Sequence, residues 1–193
     1  MLYSILDITD QKLKDKLAET CDHQPFIASA PMVFIFLADY RRWFRKFQQA
    51  GCEAVPAPRL SDLILAENDA VIAAHTACVA ADSYGIGSCY IGDIIEQWET
   101  HRDLFHLPQY VAPVSMLVFG YPTQQQKDRK QLTRFPKEMI VFENGYHDLT
   151  DEELMEYYNN DKAKAFCTRK YTSDFALEME RSAKEILKNW MGE

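Results

Sequence analysis

The sequence predicts an α+β fold built as one domain over residues 1–193. Two short apolar runs, residues 32–38 and 113–120, have the composition of buried strands, because neither alternates with polar residues. Between them lies a segment rich in alanine, isoleucine, leucine and valine, residues 60–84, which is typical of a buried central helix. Strands on both sides of a helix indicate a mixed sheet. No internal repeat, low-complexity tract or linker divides the chain.

The charge balance and the apolar runs exclude several classes of partner. A net charge of -8, from 21 Lys and Arg against 29 Asp and Glu, argues against a broad surface for nucleic acid or anionic membrane. The longest strongly apolar stretch, Pro31 to Ala38, is shorter than the roughly 20 residues that a membrane helix requires. The N-terminus lacks the basic start and the cleavage site of a signal peptide. We therefore expect a cytoplasmic protein.

The cysteines and the polar motifs give no sign of a metal site or of hydrolytic chemistry. Five cysteines are spread singly with no CxxC pair, which argues against structural zinc and a disulfide framework. Cys78 and Cys89 lie in apolar segments, so we expect them to be small buried hydrophobes. No Ser-His-Asp set, paired-carboxylate motif or HExxH appears, and a hydrolase has little support.

The first third of the chain alternates strands and helices. Residues 2–9 mix β-branched and aromatic side chains, which predicts a strand, and Asp10 is placed to cap the helix that follows. The basic aromatic run at residues 40–50 predicts a helix that ends at Gly51, where a left-handed cap suits glycine.

Further elements follow the central helix. The run SCYIG, residues 88–92, predicts a short strand, and Asp93 is expected to start the next helix. Residues 121–136 are polar and basic without periodicity, which predicts a long surface loop of the kind that carries binding residues. Thr150 with Glu153 is a capping box. A final amphipathic helix is predicted at residues 173–191, with one apolar stripe made of Phe175, Met179, Ala183, Ile186 and Trp190.

An ordered set of segments resembles the FMN-dependent nitroreductase family. The segment AAHTACVAADSYGIGSCYIG, residues 73–92, is similar to the family's central flavin-binding helix, turn and strand. HLPQYVAPVSMLVFGYP, residues 106–122, resembles its buried strand, and RFPKEMIVFENGY, residues 134–146, resembles its loop exit. Residues 3–39 are similar to its first strand, a helix and its second strand. The resemblance covers nearly the whole chain and implies a dimeric fold around a mainly antiparallel sheet.

The resemblance implies a flavin contact at Tyr90, Ile91, Gly92 and Asp93. A glycine at the end of a strand lets the main chain approach a flat ring, since a side chain would hold the ring away. Many family members carry a second glycine where this chain has Asp93, which brings an anionic side chain to the expected site. The alternative is that Gly85, Gly87 and Gly92 are ordinary turn glycines.

A phosphate contact is implied for the basic loop. Arg134 aligns with the family's phosphate-binding arginine, and Leu132 replaces its lysine, so Lys130 or Arg129 would have to substitute. Forked cationic donors suit a phosphate. Solvation of these charges on the surface is the alternative.

Two looser inferences come from the same resemblance. Arg169 and Lys170 precede the final helix, where related reductases present basic residues to the pyridine nucleotide. His75 stands where the family often has glutamine, and we expect a satisfied core histidine without a catalytic role. Family members also begin with an Arg-Ser-x-Arg motif for the flavin phosphate, whereas Met1 aligns with the start of the first family strand, so this motif is expected to be missing.

The expected activity is hydride transfer from NADPH or NADH through FMN to a nitroaromatic, quinone or flavin acceptor, in a homodimer without nucleic-acid or membrane partners. The cofactor carries such chemistry, and no catalytic side chain is assigned. The alternative is a catalytically impaired homologue that binds flavin or a partner, which Asp93, Leu132 and the missing N-terminal arginines favour. A third possibility is an α/β interaction protein without flavin.

Overall fold

Four strands and nine helices are present in the computed structural model, which describes residues 1–131, 134–157 and 159–193. The strands are β1 (Tyr3–Asp7), β2 (Met32–Asp39), β3 (Gly87–Ile91) and β4 (Val111–Gly120). The helices are α1 (Gln11–Thr20), α2 (Pro25–Ser29), α3 (Arg41–Gln49), α4 (Leu60–Ser83), α5 (Trp98–Leu104), α6 (Gln124–Lys127), α7 (Asp151–Tyr157), α8 (Asn160–Tyr171) and α9 (Asp174–Met191), with 3-10 turns at Gly92–Ile95 and Lys137–Met139.

The strands form one sheet in the order β1-β2-β4-β3, and the three pairings among the described residues are all antiparallel. The prediction of an α+β fold is confirmed. One irregularity lies between β2 and β4, where Phe36 pairs with Ser115 and Leu37 pairs with Pro113. Val114 is therefore the extra residue of a bulge, which lets the strand accommodate a proline that has no N–H to donate.

Both faces of the sheet are covered, which explains why the β2 run is apolar throughout. Val33 and Ile35 point into the larger core cluster, which also contains residues of α1, α2 and α5. Phe36 points to the other face and packs with Ala70 and Ala74 of α4. The prediction of a doubly covered strand is confirmed.

The expectation that residues 60–84 form a buried central helix holds for one face of α4 and is wrong for the other. The buried side chains of α4 are Leu63, Ala66, Ala70 and Ala74, which recur at three- to four-residue spacing. The opposite face is apolar but open, and Ile72 is 65% exposed. Composition could not separate the two faces, because both are apolar.

By length and composition, α4 is also apolar enough to cross a membrane, with a mean hydropathy of 1.3 over its best window. The sequence predicts this helix but contains no uninterrupted apolar run of that length there, because polar residues are spaced along it. The core helix of a soluble protein passes the same test of length and composition. The expectation of no membrane partner stays a prediction.

The chain divides into two compact units. The first contains Met1–Pro122 and Glu178–Glu193, and the second contains Thr123–Leu177. The prediction of one domain over residues 1–193 stays a prediction.

Local signals placed several helix ends correctly. Asp10 caps α1 by accepting a hydrogen bond from the Lys12 N–H at 2.7 Å. Gly51 follows α3 with φ at +70°. In the second unit, the Thr150 N–H donates to Glu153 at 2.8 Å and the Glu153 N–H donates to the Thr150 hydroxyl at 3.3 Å, so the capping box is confirmed.

Other boundaries differ from the predictions. The next helix does not start at Asp93, because residues 92–95 form a 3-10 turn and α5 begins at Trp98. The predicted loop at 121–136 contains the short helix α6, and α8 was not predicted. In α9, Ile186 and Trp190 are buried as predicted, but Ala183 is exposed and Ser182 is buried in its place, because residues 182, 186 and 190 recur at four-residue spacing on one face.

Candidate functional site

The segment expected to contact flavin runs from the end of β3 into the 3-10 turn, called the 92–95 turn below. Within the described sheet β3 is an edge strand paired with β4, with Ile91 opposite Met116. Both of these side chains are buried. Tyr90, on the opposite face of the strand, is 46% exposed. The buried Ile91–Met116 pair thus anchors the strand one residue before the turn.

Gly92 lies at the surface with free space over its α-carbon. A Cβ placed there would meet no heavy atom within 4 Å, and its φ is outside the left-handed region. The fold itself therefore does not require glycine at this position. Gly85 differs, because its φ of +70° suits the turn that ends α4. The turn-glycine explanation holds for Gly85, whereas Gly92 leaves bare main chain open to an incoming group.

Asp93 is half-buried and held by the protein. Gln24 donates from Nε2 to Asp93 Oδ2 at 2.8 Å. Its carboxylate also acts on two thiols: burial, and then the charge of Asp93, raise the pKa of Cys21 to about 12 and raise the pKa of Cys89. The anionic group that replaces the family's second glycine is therefore fixed at the turn.

Tyr90 lies close to Cys78, and two cysteines are less buried than expected. Burial and a hydrogen bond with the Cys78 thiol raise the pKa of Tyr90 to about 12. Ser88 donates to Cys78 Sγ at 3.4 Å. The prediction that Cys78 and Cys89 are buried hydrophobes was wrong. Cys78, on α4, is half-buried, and Cys89, on the edge strand β3, is exposed as a residue although its thiol is partly shielded from solvent.

A buried histidine behind the turn was missed by the sequence analysis. His101 of α5 is fully buried, and its Nδ1 lies 2.9 Å from the Ile94 carbonyl oxygen. Its Nε2 lies 2.8 Å from Thr20 Oγ1 at the end of α1. The sequence around His101 is polar and charged, so no local pattern pointed to a buried site.

The basic residues expected at the flavin phosphate lie in the second unit. Arg129, Lys130 and Arg134 are exposed there, and the described residues provide no ion pair to any of them. Leu132, which replaces the family's lysine, lies outside the described residues. The 92–95 turn belongs to the first unit, so the turn and the basic residues are each described within their own unit.

The two residues expected at the pyridine nucleotide occupy the last turn of α8. The Arg169 guanidinium lies 5.7 Å from the centroid of the Phe166 ring, and Lys170 Nζ lies 4.8 Å from that of Phe175. Both cations therefore rest on aromatic faces. His75 is exposed on α4, so the expectation of a core histidine was wrong.

The sequence matches one protein family and several of its characterised members. Residues 3–121 match the model of the nitroreductase family. The chain is 28% identical to a Cr(VI) reductase of Pseudomonas sp. (strain G-1), over 93% of this chain and 76% of the relative. It is 32% identical to an oxygen-insensitive NADPH nitroreductase of Salmonella typhimurium (86% and 65%) and 28% identical to an FMN reductase (NADPH) of Bacillus subtilis (78% and 59%). The chain thus spans less than two thirds of the length of the latter two relatives.

Solved structures agree with these sequence matches. The NfrA1 nitroreductase of B. subtilis aligns with a TM-score of 0.75 at 26% identity, over 92% of this chain and 70% of that one. The NADPH:FMN oxidoreductase of Vibrio harveyi complexed with NAD+ aligns with a TM-score of 0.70 at 25% identity, over 95% and 74%. The family match covers more than half of the sequence and includes β1 to β4. The chain belongs to the nitroreductase family.

Proposed function

We propose that this protein is a flavin oxidoreductase that uses FMN to pass a hydride from NADPH or NADH to a nitroaromatic, quinone or flavin acceptor. Family membership and relatives named as NADPH nitroreductase and FMN reductase support a general flavin oxidoreductase activity. The observation that carries the proposal is Gly92, an exposed glycine that the fold itself does not require, at the end of an edge strand.

The residues around the turn fit a flat heterocycle. Gly92 leaves the main chain accessible, and Ile91 anchors it from the buried side. In this proposal the main chain of Ile91, Gly92 and Asp93 faces the flavin, and the partly exposed Tyr90 borders it. FMN, when bound, supplies the hydride-accepting ring. The protein binds and orients that ring and limits the access of water to it.

The exposed cations of the second unit fit the charged parts of the ligands. We assign Arg134, with Lys130 or Arg129, to the FMN phosphate, because these residues have no ion-pair partner among the described residues and guanidinium groups suit phosphate. We assign Arg169 and Lys170 to the pyridine nucleotide. Their aromatic neighbours, Phe166 and Phe175, would hold the cations in place for such a contact.

We also propose a cytoplasmic homodimer, with the open face of α4 against a second copy. Large apolar side chains are exposed along this face, namely Leu60, Ile64, Leu65, Val71, Ile72 and Val79. Asn68 and His75 are exposed among them. A soluble monomer rarely leaves so many large apolar side chains of one helix in water. The net charge of -8 does not favour a nucleic-acid partner.

The second candidate is a catalytically impaired homologue that binds flavin or a partner, and Asp93 favours it. The carboxylate of Asp93, held by Gln24, would disfavour negative charge developing next to the turn, and would so weaken the binding or the reduction of a flavin there. The substitution Asp93→Gly separates the candidates. If the wild type does not bind FMN and the Asp93→Gly variant does, the impaired homologue is the better of the two candidates.

The test of the proposed function is the visible absorbance of the purified protein, titrated with FMN and then with NADPH under anaerobic conditions. A working reductase shows oxidised flavin bands that bleach on addition of NADPH. A colourless protein that does not bind FMN contradicts the proposal.

A pair of variants tests the role of the turn. Gly92→Val places a side chain in open space, so the melting temperature of the apoprotein should stay within a few degrees of the wild type, while FMN affinity should fall by roughly tenfold or more. Ala50→Val, at the exposed end of α3, is the matched control and should change neither quantity. Equal FMN affinity in both variants would remove Gly92 from the site.

A further inference from the structure

A buried polar network behind the 92–95 turn is centred on His101. The imidazole is completely buried, and its two nitrogens reach two different elements: Nδ1 reaches the Ile94 carbonyl at 2.9 Å and Nε2 reaches Thr20 Oγ1 at 2.8 Å. Thr20 is buried as well, and its hydroxyl lies 3.0 Å from the Lys16 carbonyl. A single side chain thus joins the turn to the last residue of α1.

The chemistry of these contacts fixes the protonation state of His101. A carbonyl oxygen only accepts hydrogen bonds, so Nδ1 must carry a proton for Ile94. Burial lowers the pKa of His101, while the hydrogen bond to the Ile94 carbonyl and the nearby main chain of Glu96 act in the opposite direction. A neutral ring with the proton on Nδ1 leaves Nε2 as an acceptor, and the single proton of the Thr20 hydroxyl is then shared between Nε2 and the Lys16 carbonyl. The Ile94 contact is therefore the one that the histidine itself donates.

Further hydrogen bonds hold the segment that follows. Ser182 of α9 is fully buried, donates to the Ile95 carbonyl at 2.7 Å and accepts from the Trp98 N–H at 2.8 Å. Two successive parts of the chain, the end of the turn and the start of α5, are thereby fixed to one hydroxyl of α9.

Gln97 occupies the link between the turn and α5 in a left-handed conformation, with φ at +48°. Its N–H donates to Glu178 Oε1 at 3.0 Å, and its side-chain amide donates to the Thr20 carbonyl at 3.1 Å. A non-glycine residue in this region costs about 1 kcal/mol or more, so the neighbouring contacts must hold it in place.

These contacts give the turn a rigid support on one side while Gly92 stays open on the other. We propose that His101 is a positioning residue, which fixes the main chain of the 92–95 turn for contact with a flavin ring through its hydrogen bond to the Ile94 carbonyl. The inference rests on the proposed function and deepens it. The side chain acts through the turn and does not touch the ligand.

Two variants separate this role from simple core packing, because each keeps one half of the imidazole. In His101→Asn the amide nitrogen can take the place of Nδ1 and still donate to Ile94, whereas in His101→Gln the amide oxygen can take the place of Nε2 and still accept from Thr20. Both variants alter core volume and lower the melting temperature. Only His101→Gln removes the bond to the turn.

The measurements are FMN affinity by flavin fluorescence, and amide hydrogen exchange of residues 92–96 in the apoprotein. We expect His101→Gln to weaken FMN binding about tenfold and to speed exchange in this segment. We expect His101→Asn to bind FMN within about threefold of the wild type, with exchange nearly unchanged. The control is Leu63→Ala, which removes a buried side chain of α4 from a different core cluster; it should lower the melting temperature without either effect.

Two results would overturn the inference. The first is that His101→Gln and His101→Asn change FMN affinity and hydrogen exchange equally. The second is that FMN affinity and exchange change in all three variants, Leu63→Ala included, in proportion to the loss of melting temperature. Failure of the proposed function is distinguishable. If the wild type binds no FMN, the proposed function fails, and the positioning of the turn is then decided by hydrogen exchange alone. Faster exchange in His101→Gln but not in His101→Asn would support it, and equal exchange would refute it.

Discussion

The two terminal nitrogens of Arg181 on α9 donate hydrogen bonds to the two carboxylate oxygens of Glu99 on α5, at 2.8 and 2.9 Å. The same guanidinium donates from Nε to Glu178 at 2.8 Å. Such a bidentate ion pair constrains the relative geometry of the two side chains more than a single hydrogen bond does. The hydrogen bonds from Arg181 lower the pKa values of both Glu99 and Glu178. Glu178 also accepts from the Gln97 N–H, so this surface cluster continues into the buried network.

The first prediction concerns acid stability. A carboxyl group whose pKa is lowered in the folded state contributes stability above its ordinary value of 4.5 and loses it as pH falls through the lowered value. Arg181→Gln should therefore melt below the wild type at pH 7, and the gap should shrink as pH falls below 4.5. Scanning fluorimetry across this range measures it. Lys184→Gln, which removes a single-contact pair with Glu180, should give a smaller gap; a gap independent of pH would contradict the prediction.

The second prediction uses the thiol of Cys89 as a reporter of the Asp93 charge. After burial, this charge is the second cause that raises the pKa of Cys89. Asp93→Asn removes the charge and keeps an oxygen for Gln24, so the thiolate fraction of Cys89 should rise and alkylation at pH 8 should speed up by about two- to fivefold. Site-resolved mass spectrometry measures the rate. Cys52, exposed elsewhere, is the internal control, and parallel changes at both cysteines would argue against the assignment.

The third prediction concerns the docking of α9. Trp190 is almost fully buried, its indole N–H donates to the Arg59 carbonyl at 3.2 Å, and its ring meets Tyr110 edge-on. Trp190→Ala should cost about 3–5 kcal/mol of the free energy of unfolding, measured by urea denaturation. Trp190→Phe keeps much of the packing and should cost clearly less. A loss below about 1 kcal/mol for the alanine variant would show that Trp190 does not anchor the helix.

The fourth prediction compares two buried serines. Ser115 Oγ in β4 has no hydrogen-bond partner in the part of the chain that the structure describes, whereas the Ser182 hydroxyl both donates and accepts. Ser115→Ala should leave stability unchanged or raise it by up to about 1 kcal/mol, and Ser182→Ala should cost about 1–3 kcal/mol. Thermal unfolding of both variants tests the contrast. Similar losses in the two variants would indicate a partner for Ser115, such as a buried water.

Much of the fold could be predicted because its signals are local. The cap at Asp10, the capping box from Thr150 to Glu153 and the left-handed Gly51 each depend on residues within one turn of a helix. The apolar run of β2 also carried enough information, since a strand with both faces covered needs no alternation. The family resemblance supplied the order of these parts and is confirmed.

What could not be predicted depends on contacts between distant positions. His101 meets Thr20 across 81 positions, and Ser182 meets Ile95 across 87, so neither contact leaves a pattern in the surrounding sequence. The choice of Ser182 over Ala183 as the buried residue depends on the angle at which α9 packs, which periodicity does not determine. The exposure of Cys89 follows from the edge position of β3.

The flavin contact that the resemblance implies for Tyr90 to Asp93 stays a prediction, and the structure shows only the local setting of these residues, the end of an edge strand and the start of a turn. The roles of Arg129, Lys130, Arg134, Arg169 and Lys170 stay predictions. These residues belong to the second unit, and cations on a surface show what they bind only when the ligand is present.

The alanines of α4 have a consequence for how this protein tolerates change. Ala66, Ala70 and Ala74 face the sheet and are fully buried, so the helix axis lies as close to the strands as small side chains allow. Any larger residue there would push the helix outward along its whole length, and we expect natural variants to be confined to glycine, alanine and serine. The outer face does not pack against the sheet, so it has no such limit on volume within one copy of the chain, and in the proposed dimer it need only remain apolar. Substitutions that change side-chain volume should therefore accumulate faster on the outer side of this helix than on the inner side among related chains.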